Sequence, residues 1–215
     1  MSQHASPLYW VDGFVESRVA SILHGVVKTQ QALWHSLFLD ANSFQFAGAG
    51  AQLPEMLRFY LIAHCQHVLR LIGLEKDQAK AFEIWGSCSD GSAPSTSFFH
   101  IDNDEELRKR TGKVSAPVAG AILYLGSRRV ARGSGTFFVH ESSIARTLEP
   151  YLFQECDWSD LEPRLRAHGQ AITFVPGRLV IFQGELAHAA IPQKVCTRRA
   201  TRTALLVNIW QRRPT

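Results

Sequence analysis

From Ala81 onward the chain is a succession of short β-prone runs separated by turn signals, and nothing else in it constrains the fold as tightly. The runs are Phe82 to Trp85, Ser97 to Ile101, Ala119 to Leu125, Thr136 to Val139, Ala171 to Val175, Leu179 to Phe182 and Thr203 to Trp210. Strands this short, at this spacing, predict an all-β sandwich or barrel. Val175-Pro176-Gly177-Arg178 fits a type II turn, with proline at the first central position and glycine where φ must be positive. Gly86 to Thr96 is rich in Ser, Gly and Pro and reads as a mobile loop. Glu105 to Lys113 is charged and ends the strand before it. Glu141 to Gly169 reads as a helical or irregular insertion, in which Ser159 or Asp160 could cap a short helix.

The first third has a different period. Val15, Val19, Ile22, Val26, Leu33 and Leu37 fall close to one stripe at helical spacing. Ala41 to Gln52, with Gly48 and Gly50, breaks the pattern as a loop, and Pro54 stands where a helix can begin. Leu57, Leu61, Cys65, Val68 and Ile72 form a second stripe that runs up to Gly73. The two helices are expected to form a platform against one sheet. In His64-Cys65-Gln66-His67 the histidines read as helix-face residues, since no third ligand lies nearby in sequence. The fold class that results is mainly β with N-terminal helices. The 215 residues make one domain, with 1–80 as helical support and 81–211 as the β core.

Composition narrows the setting. A hydrophobic content of 46% is that of an ordinary globular protein with a sizeable core. A net charge of +4 permits an anionic partner without demanding nucleic acid. Cys65, Cys88, Cys156 and Cys196 are scattered, with no CxxC pair, which predicts free thiols in a reducing compartment. Met1 to Trp10 has no basic region followed by an apolar core, and no apolar run approaches a membrane span. The expectation is a cytoplasmic protein without a signal peptide.

The chemistry centres on Phe98-Phe99-His100-Ile101-Asp102-Asn103-Asp104-Glu105 and the distant His188. Side chains two apart in a strand point the same way, so His100 and Asp102 can aim an imidazole and a carboxylate at one point. A second histidine from a later strand, His188, would complete a 2-His-1-carboxylate face. Such a face leaves positions of an octahedral iron open for a co-substrate and O₂. His188 follows the Pro176-Gly177-Arg178 turn and the buried-looking run Leu179-Val180-Ile181-Phe182. After it comes the basic segment Thr197-Arg198-Arg199-Ala200-Thr201-Arg202, which leads into the last apolar run.

In this order and spacing these residues resemble the iron(II)/2-oxoglutarate-dependent dioxygenases, most of all their prolyl-4-hydroxylase-like branch. Ile122-Leu123-Tyr124-Leu125, followed by Gly133-Ser134-Gly135-Thr136-Phe137, is similar to that branch's Tyr-Leu and Gly-Gly-x strands. The resemblance spans Phe82 to Trp210. It implies a double-stranded β-helix (jelly-roll) core with His100, Asp102 and His188 as iron ligands. It further implies Arg202 as the clamp on the far carboxylate of 2-oxoglutarate, with Tyr124 bonding the same carboxylate. A planar guanidinium fork suits a carboxylate where a lysine does not. Arg198 and Arg199 compete for the clamp; Arg202 is favoured because it abuts the apolar strand. Asn208 should share Arg202's face with Ala204 and Leu206, either orienting 2-oxoglutarate or bonding within the core.

The activity the resemblance implies is oxidation, above all hydroxylation, of a C–H bond. 2-Oxoglutarate and O₂ are consumed, succinate and CO₂ are released, and ascorbate can act as a stimulant. Asp102 argues against a halogenase, which needs a small residue there to open a halide position. His100-x-Asp102-x-Asp104-Glu105 is also similar to a segment of the AlkB-type nucleic-acid demethylases. Their Arg-x-Asn-x-Thr-x-Arg strand is, however, replaced here by Arg202-Thr203-Ala204-Leu205-Leu206-Val207-Asn208. A nucleic-acid partner is therefore not expected, and a small molecule or peptide segment is. A non-catalytic metal-binding module of the same fold is the rival from another class. Trp85, Asp104, Glu105 and the Arg128-Arg129 loop lie near the expected mouth. Asp104 or Glu105 would either receive a cationic group of the substrate or be solvated loop charges. Ser127 to Gly133 has the glycines of a lid.

Overall fold

The computed structural model describes residues 8–89, 96–126, 134–140, 147–192 and 202–215. Its elements fall into two antiparallel sheets. The larger sheet has the order β1 (Leu8–Val11), β9 (Leu179–Gln183), β5 (Ala119–Leu125), β11 (Arg202–Trp210), β3 (Ala81–Ser89) and β2 (Leu37–Asp40). The smaller has the order β7 (Gln154–Asp157), β4 (Thr96–His100), β10 (His188–Ile191), β6 (Gly135–Val139) and β8 (Gly169–Thr173). From β3 to β6 the chain changes sheet at every step, and it does so again from β8 to β11. That alternation is the double-stranded β-helix expected from the sequence.

The period of two along β11 sorts its residues to two faces. Leu205, Val207 and Ile209 point outward and pack with Phe82, Ile84, Leu123 and Ile181 against the helices α1 (Ser17–Thr29) and α2 (Glu55–Ile72). Ala204 and Leu206 point inward, toward Ile122, Tyr124, Val180 and Phe182 of their own sheet and Phe138 and Ile172 of the other. A third apolar cluster covers the outside of the smaller sheet, where Phe99, Phe137 and Ala189 meet Trp158, Leu161 and Leu165 of α4 (Trp158–Arg166). The interior between the sheets is thus screened on both outer faces. Gly177 closes the expected turn at φ +83°, with Arg178 N donating to Val175 O at 2.9 Å.

The N-terminal third differs from its reading in two ways. The first stripe is not one helix: α1 ends at Thr29, Leu33 lies in a short 3₁₀ turn, and Leu37 opens β2. The buried face of α1 is Ala20, Leu23 and Val27, while Ile22 is 59% exposed. Packing decided this. Gly86 in β3 lets Val27 lie directly on the sheet, where a Cβ would come within 2.6 Å of its side chain. Second, the region is not only helical, because β1 pairs with β9 and β2 with β3, extending the large sheet at both edges. In the insertion, α4 is capped by Asp157, whose carboxylate accepts from Ser159 N at 2.9 Å, and not by Ser159 or Asp160. Among the described residues Cys65 and Cys156 are free thiols, and no helix is long and apolar enough to cross a membrane. Cys196 lies outside them.

α2 begins after Pro54, ends at Gly73 and buries Leu61, Cys65 and Val68 as expected, together with His64. The His64 ring stacks on Tyr60 at 6.1 Å and meets Phe14 edge-on at 5.7 Å. Neither ring nitrogen has a protein partner among the described residues, and burial, aided by His67, pushes its pKa down to about 4. The unfolded chain therefore takes up a proton near pH 6.5 that the folded chain refuses until about pH 4. Stability is lost as pH falls through that window, by roughly 1.4 kcal/mol per unit for one such group. Urea midpoints of the metal-free protein should fall from pH 6.5 toward 4, and His64→Leu should flatten part of that slope.

Candidate active site

β4 ends at His100 and β10 begins at His188, and the two residues stand directly opposite each other in the antiparallel ladder. Opposed residues share a face, so the two rings meet inside the barrel with centroids 4.5 Å apart. Asp102 follows His100 by two residues, and its Oδ1 lies 3.4 Å from His100 Nε2 and 3.9 Å from His188 Nε2. One donor atom from each of the three falls within a span of 4.8 Å.

The backbone orients both imidazoles in the same way. His100 Nδ1 lies 3.1 Å from Phe98 O and His188 Nδ1 lies 3.0 Å from Leu186 O. A carbonyl can only accept, so each Nδ1 carries the proton and each Nε2 turns its lone pair to the common point. Electrostatics favour the neutral imidazole at His188. Burial pushes the His188 pKa down to about 4. For Asp102, burial alone would raise the pKa, but His188 and His100 hold it below the ordinary carboxylate value. At His100 burial is outweighed by the hydrogen bond and charge of Asp102, which raise its pKa. Two imidazole nitrogens and one carboxylate oxygen, converging in a buried pocket with tautomers fixed from behind, fit a first-row divalent cation such as iron(II).

A second polar group faces the same interior from the large sheet. Arg202 opens β11 and its guanidinium donates to Thr136 Oγ1 at 3.4 Å. Tyr124 OH donates to the same oxygen at 2.8 Å, and the guanidinium carbon stands 5.8 Å from the Tyr124 ring centre. Among the described residues no acid forms an ion pair with Arg202. Burial lowers the Arg202 pKa and raises that of Tyr124; a guanidinium stays charged regardless. His188 pairs with Phe138 of β6, and Thr136 lies two residues farther along that strand. At the rise of an antiparallel strand the offset is about 7 Å, the reach of a five-carbon dicarboxylate. Thr136 was missed in the sequence; its only signal is a hydroxyl on the inward face of an otherwise apolar run.

The remaining expected residues are placed as follows. Asn208 shares Arg202's face, six residues along β11, and stands opposite Glu83 in the ladder. Trp85 is half-buried and opposes Leu206 on the inward face. Asp104 is engaged within the fold: it is buried, caps α3 (Glu105–Thr111) by accepting from Leu107 N at 3.0 Å, and accepts from Thr215 N at 2.9 Å and Thr215 Oγ1 at 2.7 Å. Glu105 is spoken for by Arg108 at 2.9 Å and Asn103 at 3.2 Å. Asp104→Ala should therefore cost about 1–2 kcal/mol of stability, read as a lower melting temperature, with the KM for co-substrate unchanged. Arg199, Arg198, Arg128-Arg129 and the Ser127 to Gly133 segment lie outside the described residues.

No family model matches the chain, and no curated protein matches it. Solved structures do. The chain is similar to a Pseudomonas putida prolyl-4-hydroxylase at a TM-score of 0.55 and 16% identity, over 96% of this chain and 89% of that one. HygX from Streptomyces hygroscopicus, with nickel and 2-oxoglutarate bound, aligns at a TM-score of 0.56 and 13% identity, over 95% of this chain and 83% of that one. SnoK, a non-heme α-ketoglutarate-dependent carbocyclase from nogalamycin biosynthesis, aligns at a TM-score of 0.53 and 15% identity, over 97% and 83%. The fold is therefore that of the prolyl-4-hydroxylases and of non-heme α-ketoglutarate-dependent enzymes.

Proposed function

We propose that the protein is an iron(II)- and 2-oxoglutarate-dependent oxygenase that hydroxylates an unactivated C–H bond of a small molecule or a peptide-derived group. One observation carries the reading. A 2-His-1-carboxylate triad and a guanidinium without an acid partner among the described residues face one interior; Thr136, which holds the guanidinium, lies two residues, about 7 Å, along β6 from the residue paired with His188. His100, Asp102 and His188 would hold the metal. When bound, iron(II) supplies the reduction of O₂ that is coupled to oxidation of 2-oxoglutarate to succinate and CO₂, with the second oxygen atom entering the substrate C–H bond.

The chain's own residues supply geometry and a dry setting. Arg202 offers a planar pair of N–H donors to the far carboxylate of 2-oxoglutarate. Thr136 and Tyr124 fix the guanidinium from one side, so little side-chain freedom is lost on binding. The Phe98 and Leu186 carbonyls keep both imidazoles in the tautomer that can ligate. Phe138 and Phe182 lie against His188 at 5.6 and 5.0 Å and shield it from water. Ala204 and Leu206 are apolar members of the interior, where the demethylase strand carries Asn and Thr, which supports a non-nucleic-acid substrate. The direct test is succinate release from 2-oxoglutarate by the purified protein with iron(II) under air. Release that requires all three components supports the proposal; none, with metal and 2-oxoglutarate both bound, contradicts it.

A further inference from the structure

The interior between the sheets is filled on one side and open on the other. Toward β5, β9, β6 and β8 it is closed by Ile122, Tyr124, Val180, Phe182, Phe138 and Ile172. Toward β4 it is open. Phe98 precedes His100 by two residues on the same face of that strand. Its ring stacks on the His100 ring, with centroids 4.9 Å apart and planes at 29°. Yet Phe98 is 42% exposed, whereas its neighbour Phe99, on the outward face, is fully buried beside α4. Resting on the oxygenase reading above, we infer that Phe98 is a substrate-contacting residue, and that the group it receives beside the metal is a flat apolar ring without negative charge.

Single exposed apolar side chains are common on protein surfaces, but this one is placed by the site. The Phe98 carbonyl lies 3.1 Å from His100 Nδ1 and its ring lies on the same imidazole, so backbone and side chain both follow the metal ligand. The ring belongs to none of the three apolar clusters. One of its faces is covered by His100 and the remainder is bare. On its inner side, the register that sets Ala189 opposite Phe99 puts Ala190 in Phe98's row, and Ala190 is exposed as well. Ala190 pairs in turn with Thr136, which holds the Arg202 guanidinium. The short side chain at 190 thus leaves a passage from Phe98 toward the co-substrate. On its outer side Phe98 is opposed by Glu155 of β7, an exposed acid that accepts from Thr96 Oγ1 at 2.7 Å. A guest lying on Phe98 meets an aromatic face, a methyl group and a carboxylate. An aromatic face favours another ring in offset or tilted contact, and the carboxylate repels an anion. Trp85, half-buried on the inward face of β3, offers a second ring from the large sheet.

The experiment uses the full chain loaded with Mn(II) and saturated with 2-oxoglutarate under argon. Indole is the probe and indole-3-acetate its anionic counterpart. Mn(II) broadens the NMR lines of protons held near it, and the Zn(II)-loaded protein serves as the blank. Affinities for Mn(II) and 2-oxoglutarate are measured in parallel. The wild type is expected to broaden the indole lines saturably and to leave indole-3-acetate sharp. Phe98→Ala is expected to weaken indole binding about tenfold while keeping both the Mn(II) and the 2-oxoglutarate affinity. Phe98→Leu, which restores apolar bulk without a flat face, is expected to recover only part. The side chain is exposed, so neither variant removes a core contact. Equal indole broadening in wild type and Phe98→Ala, or none in the wild type, would overturn the inference, as would tighter binding of indole-3-acetate than of indole. Lost Mn(II) affinity in Phe98→Ala would also overturn it, by assigning the ring to the support of His100. Failure of the wild type to bind Mn(II) or 2-oxoglutarate would instead bring down the oxygenase reading on which the inference rests.

Discussion

His188→Ala is expected to abolish metal binding and turnover together. The imidazole is buried, its Nδ1 is held by Leu186 O, and its Nε2 stands 3.9 Å from the Asp102 carboxylate oxygen. No other histidine, cysteine or acid among the described residues joins the cluster to replace it. Removal of an outer partner of a metal ligand costs about 10- to 100-fold in affinity; loss of the ligand itself should exceed that. The substitution opens a hole beside Phe138 and Phe182, so the metal-free form should also melt somewhat lower. Calorimetric titration with Fe(II) under anaerobic conditions reads the binding, and succinate release reads the turnover. Wild-type binding in this variant would remove the triad from the account.

Arg202→Ala should leave the metal in place and remove the co-substrate. The guanidinium is half-buried beside Tyr124 and Thr136 with no acid partner among the described residues, so an incoming carboxylate would be its principal counter-charge. Truncating one side of a buried, hydrogen-bonded charge pair costs at least about 2 kcal/mol, roughly a 30-fold rise in Kd. Arg202→Lys should recover only part, since an ammonium presents a point charge where a two-pronged donor is needed. The split is diagnostic: His188→Ala loses Fe(II), Arg202→Ala keeps Fe(II) and loses 2-oxoglutarate. Unchanged 2-oxoglutarate affinity in Arg202→Ala would move the clamp to another residue.

Much of the barrel was legible because its central strands are nearly continuous apolar runs, buried on both faces. β5 was expected at Ala119 to Leu125 and lies there, and β11 begins one residue before its expected start. Four strands gave no signal. β1, β2 and β7 are four-residue edge strands, and β10 reads His-Ala-Ala-Ile, a run with little β-propensity that is held by neighbours on both sides. The face of α1 was misjudged because a small residue, Ala20, and a glycine across the interface decided which side approaches the sheet. Asp102 lies past the end of β4, so the period of two did not by itself place it; His100 and His188 meet because they stand opposite each other in the ladder. The role of Asp104 could not be read: the residue it ties, Thr215, is far off in sequence, and its capping role depends on a helix that charge alone had concealed.

The most direct test of the central claim is an anaerobic titration of the Fe(II)-loaded protein with 2-oxoglutarate, followed by visible absorption. The account predicts a weak charge-transfer band that grows with 2-oxoglutarate, saturates, and is missing in His188→Ala. Fe(II) shown to be bound, with no band at any 2-oxoglutarate concentration, would contradict it.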